Sequence, residues 1–266
     1  MSLVKKFLNP FRKIFTKIFI DPSVLDGYLK RKIWHETNAF RWAAAYIVKN
    51  QVKGDYLEFG VWKGNSFIEA YNQIEDYSEM FYAPNSTVGK SNIVVENIFK
   101  NMRYHAFDSF EGLPASDSEN KPIQYFEGNY KAEEALFIDR LKEADLDMSR
   151  VTTTKGWFND SLSSETANKL SLKEIAIAYI DCDLKEPALD SLNFIKPFLK
   201  NGSVLIFDDW FRNGGNSKEG VQGAANEWLE KNPDIHLQHF YSCDTRTVLF
   251  IVQFNGNKTD NQINSV

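Results

Sequence analysis

The stretch EIAIAYIDCDLKEPALDSL, residues 174–192, runs six apolar residues, Ile175 to Ile180, straight into Asp181 and Asp183 and then into a helix-like pattern. A continuous apolar run of this length is the mark of a strand covered on both faces. Carboxylates at its end are costly to bury unless positive charge meets them. The same arrangement returns in GSVLIFDDW (202–210), where Asp208 and Asp209 close another apolar strand. Two neighbouring strands ending in acid collect carboxylates at one edge of a sheet, the edge where open α/β sheets place their ligands.

The pattern extends in both directions from there. GDYLEFGVW (54–62) reads as a strand and GNSFIEAYNQI (64–74) as the helix after it. RYHAFDSF (103–110) is a second strand, followed by a Gly/Pro loop and a helix over 132–144. RVTTTKGWF (150–158) supplies a third strand and NDSLSSETANKL (159–170) a helix. After the fourth strand at 174–181, Pro187 stands in the first turn of a helix that runs to Leu199, where its missing N–H costs little. A fifth strand at 203–208, a helix over 218–231 and two closing strands joined at Ser242–Asp244 complete the order. Strand–helix alternation closed by a hairpin predicts an α/β fold with a Rossmann-like, mainly parallel seven-stranded sheet, an antiparallel last strand and helices on both faces. Residues 75–100 read as an irregular, partly polar insertion.

The expected organisation is a basic amphipathic segment at 1–21, a helical extension at 22–52, the main domain at 53–254 and a polar tail at 255–266. In the first segment apolar residues including Phe7, Phe11, Phe15 and Phe19 fall at helical spacing, with Lys5, Lys6, Arg12, Lys13 and Lys17 opposite. Two readings of 3–19 stand side by side: a helix lying on an anionic membrane surface, or a helix packed on the domain or on a second subunit. The lysines interrupt any signal-peptide core, and no stretch reaches the roughly 20 apolar residues a spanning helix needs. The expected location is therefore the cytoplasm, with peripheral contact at the inner membrane face.

Composition excludes several functions. A net charge of −5 leaves no basic excess for coating nucleic acid. Cys182 and Cys243 have no CxxC spacing, which argues against both a zinc site and a disulfide scaffold. The four histidines form no HxxxH pair.

Three motifs carry chemistry. Glu58-x-Gly60-x-x-x-Gly64-x-Ser66 sits at a strand-to-helix turn, where glycines let backbone approach a ligand and a helix N-terminus attracts an anion. It is not the G-x-G-x-x-G of dinucleotide folds, and a purely structural turn is its rival reading. Asp108, closing the second strand, stands where nucleoside ribose hydroxyls are held in this architecture; a cap or turn aspartate is the alternative. Asp181, Asp183, Asp208 and Asp209 offer oxygen ligands only, the donor set of a hard cation such as Mg²⁺.

Taken in order, EFGVWKGNS, FDSFEGLP, YIDCDL and IFDDW resemble the macrocin-type O-methyltransferases, a family of class I S-adenosylmethionine-dependent enzymes that methylate sugar hydroxyls of macrolide antibiotics. The resemblance covers roughly residues 50–232 and implies S-adenosylmethionine and Mg²⁺ as cofactors. It implies that Glu58, Gly60 and Ser66 hold the methionine end and Asp108 the ribose, that Gly156 and Trp157 lie near the adenine, and that Ser109 belongs to the cofactor-binding set. Asp181, Asp208 and Asp209 are the implied metal ligands, with Asp181 also touching the cofactor site and acting as base. The 75–100 insertion and NGGNSKEGV (213–221) depart from the family pattern where acceptor contacts are expected, which sets the antibiotic sugar apart from the expected acceptor; the amphipathic segment 3–19 points to a sugar hydroxyl of a glycan or glycolipid precursor, with a soluble secondary-metabolite sugar as the competitor. Competing classes are a metal-dependent glycosyltransferase or an aspartate-nucleophile phosphatase using Asp181-x-Asp183, and a non-catalytic S-adenosylmethionine-binding protein.

Overall fold

A computed structural model describes residues 38–82, 99–115, 122–243 and 245–255. The expected amphipathic segment 1–21, the first part of the extension, residues 83–98 of the insertion and the tail beyond Asn255 lie outside the described residues. Among the described residues no helix is long and apolar enough to cross a membrane.

The compact unit Ala39–Val266 begins with α1 (Ala39–Asn50). This helix falls inside the stretch read as an extension, yet it belongs to the main unit, because Ala43, Ala44, Ile47 and Val48 are buried in the core of one sheet face. Then follow β1 (Asp55–Phe59), α2 (Asn65–Tyr82), β2 (Tyr104–Asp108), α3 (Glu134–Glu143), β3 (Val151–Lys155), α4 (Phe158–Ser161) and α5 (Ser164–Lys169). The second half comprises β4 (Ile175–Ile180), α6 (Lys185–Ile195), β5 (Val204–Phe207), α7 (Gly220–Lys231), β6 (Ile235–Ser242) and β7 (Val248–Phe254). The seven strands are ordered β3-β2-β1-β4-β5-β7-β6, with β7 antiparallel to both neighbours and β1, β2, β3, β4 and β5 pairing in parallel. This is the sheet expected from the alternation of strands and helices.

Two helices differ from the sequence reading. α2 runs eight residues past Ile74 into the stretch read as irregular, because Tyr77, Ser78 and Phe81 continue the spacing of Ala70, Tyr71 and Ile74 against the core. The helix expected over 159–170 is two: Ser163 accepts a hydrogen bond from the Thr166 N–H at 3.2 Å and caps a fresh start.

The sheet is covered on both faces, so alternate residues of one strand feed different cores. Tyr56 of β1 packs with Ile47, Phe67, Tyr104 and Phe137, whereas Leu57 and Phe59 pack with Phe107, Leu192, Phe207 and Trp228. Five-residue β1 and six-residue β4 are buried throughout. The chain builds outward from β1 to β3, then returns to β4 on β1's other side. The C-terminal ends of β1 and β4 are thus the topological switch point, where neighbouring connections leave in opposite directions and open a crevice.

Candidate functional site

A cavity of roughly 1010 Å³ opens at that switch point. Its walls come from the turn after β1, the ends of β2, β4 and β5, the start of α4 and the loop 122–131. Gly60 joins the two central strands. Its φ is +89°, and a Cβ there would stand 2.0 Å from the Asp181 carbonyl oxygen. The backbone of the glycine turn and the first acid therefore touch only because residue 60 has no side chain. Gly60→Ala combines a left-handed conformation with a backbone clash, so a loss of about 2–4 kcal/mol is expected, read as a lowered denaturant midpoint together with loss of cofactor binding. A melt like that of the parent would remove this contact from the site.

Asp108 ends β2 and accepts three backbone N–H groups: Val61 at 2.8 Å and Trp62 at 2.9 Å on Oδ2, and Phe110 at 2.7 Å on Oδ1. It lines the cavity while holding the turn after β1 in place. Ser109 also lines the cavity, and its hydroxyl is engaged within its own loop, donating to the Gly112 carbonyl at 3.1 Å and accepting from the Glu111 N–H at 3.0 Å. Ser66, at the start of α2, reaches the cavity and donates to Glu58 Oε1 at 2.5 Å. Glu58 itself stands behind Ser66, fully buried, with the Tyr56 hydroxyl donating to its other oxygen. Burial pushes the Glu58 carboxyl up to about 8 against the opposing pull of those two hydrogen bonds. Trp157 lines the cavity beside Phe158, while Gly156 supports it from behind with φ +143° and an N–H donated to the Asp108 carbonyl at 3.0 Å.

The acids converge as the sequence suggests. Carboxylate oxygens of Asp181, Asp208 and Asp209 all lie within 4.8 Å of one another. Asp208 accepts from the Thr247 hydroxyl at 2.6 Å and has the Arg246 guanidinium 3.8 Å away. Asp209 accepts from the Tyr125 hydroxyl and pairs with Arg212 at 2.9 Å. Among the described residues no donor meets the Asp181 carboxylate. Burial, compounded by the charges of Asp208, Asp183, Glu58 and Asp209, pushes it well above the usual carboxylate range. Burial and Asp209 raise Asp208 as well. Asp183 is pushed up to about 8 by burial and by Asp209. Asp209 is held below the usual range despite burial, through hydrogen bonds from Asp183, Tyr125 and Arg212.

The four acids, Asp108, Ser109, Ser66, Gly60 and Trp157 thus share one cavity. Glu58 and Gly156 stand behind its wall. Sequence reasoning left out Trp62, Tyr125, Tyr130, Arg212 and Arg246, which also line it. Trp62 was inside a quoted motif and could have been found; Tyr125 and Tyr130 lie in a loop with no periodicity, and Arg246 is brought in only by the pairing of β7 with β5.

The site fits the group that oxygen-only donors imply. Three carboxylates without enough positive charge between them, one of them unmet by any described donor, suit a hard divalent cation. The same cavity has room for a nucleoside-sized ligand beside them.

Comparison with known proteins bears on this geometry. A family model described as macrocin-O-methyltransferase (TylF) matches residues 90–231. A curated protein of Streptomyces olivaceus, 8-demethyl-8-(2,3-dimethoxy-alpha-L-rhamnosyl)-tetracenomycin-C 4'-O-methyltransferase, is 23% identical over 171 residues, 62% of this chain and 56% of that protein. The chain therefore spans little more than half the length of that relative. Among solved structures, the O-methyltransferase NovP superposes with a TM-score of 0.60 at 22% identity, covering 80% of this chain and 77% of its own. The calicheamicin methyltransferase CalS11 gives 0.57 at 19% identity, covering 94% and 93%. These two likenesses establish the fold.

Proposed function

The chain belongs to the macrocin-O-methyltransferase family, and from that membership we propose that it transfers the methyl group of S-adenosylmethionine to a sugar hydroxyl with the help of Mg²⁺. The observation that carries the proposal is the meeting of two sets of groups in one cavity. Gly60, Ser66 and Asp108 suit an amino-acid-and-ribose ligand, and the trio Asp181, Asp208 and Asp209 suits a cation beside an oxygen nucleophile. A sugar acceptor is supported by the name of the Streptomyces relative, whose target is a rhamnosyl group. The basic amphipathic pattern at 3–19 is the sequence support for an acceptor carried at a membrane surface.

Asp181, Asp208 and Asp209 would hold a divalent cation, whose Lewis acidity would lower the pKa of the acceptor hydroxyl and help to orient it. Asp181, directly after the C-terminal end of β4, takes the proton of the attacking hydroxyl as the C–O bond forms and the methyl carbon leaves sulfur, whose electron pair stays on S-adenosylhomocysteine. Asp208, steadied by Thr247, and Asp209, steadied by Arg212, would hold the cation. Trp157 flanks the adenine and Asp108 the ribose. Approximation of the two substrates in this cavity supplies up to about 7–11 kcal/mol in favourable cases.

The DxD alternatives need Asp181 and Asp183 to act on one ion. The trio whose carboxylates converge is Asp181, Asp208 and Asp209, drawn from the ends of both strands and leaving Asp183 out, which favours the methyltransferase reading. Calorimetry with S-adenosylmethionine and, separately, UDP-glucose tests the choice: the former is expected to bind and the latter not. Asp108→Ala is expected to weaken S-adenosylmethionine about tenfold or more, since a hydrogen bond to a charged group is worth roughly 1.5–3 kcal/mol. Unchanged affinity would take Asp108 out of the cofactor site, and binding of UDP-glucose alone would overturn the proposal.

A further inference from the structure

We propose that Trp62 and Tyr130 form the acceptor platform of this cavity, a corner of two aromatic rings that takes a C–H face of a pyranose while its vicinal hydroxyls turn toward Asp181, Asp208 and Asp209. The inference rests on the methyltransferase reading of the site and names the surface that selects its acceptor.

Exposure sets these two residues apart. Phe59, Phe67, Phe107 and Phe137 are fully buried, whereas Trp62 and Tyr130 line the cavity and stay 38% and 37% exposed. Their ring centroids are 5.8 Å apart with planes at 78°, so each braces the other edge to face. Both hold left-handed backbone, with φ of +42° at Trp62 and +60° at Tyr130. Bulky side chains rarely adopt that region, and such strain persists where the surroundings over-determine it. At Trp62 the restraint is visible: its N–H donates to Asp108 Oδ2 at 2.9 Å, the carboxylate assigned to the ribose. The acceptor wall and the cofactor wall thus share one anchor. Lys63 places its ammonium 4.4 Å from the Trp62 ring centroid and further fixes the indole.

The corner and the acids line the same cavity, Trp62 and Tyr130 together with Asp181, Asp208 and Asp209. A ligand between corner and trio needs an apolar face on one side and adjacent oxygens on the other. A flat aryl diol and a pyranose both carry adjacent oxygens. The angle between the rings distinguishes them: parallel walls clamp a flat ring, while two planes at 78° receive the thickness of a chair.

The test is saturation-transfer NMR on the full chain loaded with S-adenosylhomocysteine and Mg²⁺. The probes are methyl pyranosides of gluco, manno, galacto and 6-deoxy-manno configuration, with catechol as the flat diol. Saturation is expected on the C–H groups of one ring face of at least one pyranoside. It should fall about threefold to tenfold in Trp62→Ala and in Tyr130→Ala, the size one aromatic contact carries, and return largely in Trp62→Phe. Calorimetry should show S-adenosylhomocysteine still binding both alanine variants, which separates a lost platform from a lost fold. Transfer to catechol alone, transfer to no pyranoside, or transfer undiminished in both variants would overturn the platform while leaving the methyltransferase reading intact. Failure of the parent protein to bind S-adenosylhomocysteine would overturn both.

Discussion

Asp181→Asn is expected to lower kcat by about 10²–10⁴-fold, the range that a positioned general base contributes. The asparagine keeps the shape of the side chain, so neither the contact of Gly60 with the Asp181 carbonyl nor the strand pairing is disturbed. Two chemical properties go together: a carboxylate oxygen that accepts the hydroxyl proton, and a negative charge within 4.8 Å of Asp208 and Asp209. Asp208→Asn and Asp209→Asn remove only charge from the trio, so their activity should recover partly at high Mg²⁺, while Asp181→Asn should not. The measurement is initial rate against Mg²⁺ concentration for the three variants, with S-adenosylhomocysteine affinity measured in parallel. Recovery of Asp181→Asn to the level of the other two would remove the base role and leave Asp181 as a ligand only.

The reasons this residue was visible in the sequence are physical ones. A strand buried on both faces accepts an acid in its middle only with partners, as Glu58 has in the Tyr56 and Ser66 hydroxyls, so acid at the end of an apolar run marks where the sheet edge reaches the cavity. The runs ending at Asp181 and at Asp208 and Asp209 follow that rule, and so does Asp108. The mainly parallel sheet followed from the alternation of strand and helix patterns, whereas the return from β3 to β4 on the other side of β1 is not written in any local pattern. What was hidden depends on contacts distant in sequence. Tyr125 reaches Asp209 across 84 positions, and Thr247 reaches Asp208 across 39. Neither lies in a periodic segment, and nothing local distinguishes them from loop residues. Glu58 shows the opposite limit. Its motif was legible, but only the packing of Tyr56 and Ser66 around it reveals a carboxyl that stands behind the cavity wall. The continuation of α2 beyond Ile74 was missed because its acidic, polar residues mask the spacing of Tyr77, Ser78 and Phe81.

Removal of divalent cations with EDTA is expected to abolish turnover and to leave S-adenosylhomocysteine binding in place, and the pH dependence of the metal-free protein supplies the reason. Asp181 and Asp208 are raised, and Asp183 is raised to about 8. Between the ordinary carboxylate range and about 8 the folded chain therefore binds more protons than the unfolded chain. Stability rises with pH only where the unfolded state holds more protons, so here it must fall as pH rises through that window. The melting temperature of the metal-free protein should accordingly decline between about pH 5 and pH 8, and Mg²⁺ should restore most at the upper end, where the cluster is ionised. A cation competes with those protons for the same oxygens. Its binding should release protons at pH 7 and tighten with rising pH until the acids are ionised. Calorimetry in two buffers of different ionisation enthalpy reads the release directly, and Asp181→Asn should reduce it. Binding heats independent of buffer, with activity undiminished by EDTA, would mean that the trio acts without a metal and that Asp181 works as a base alone.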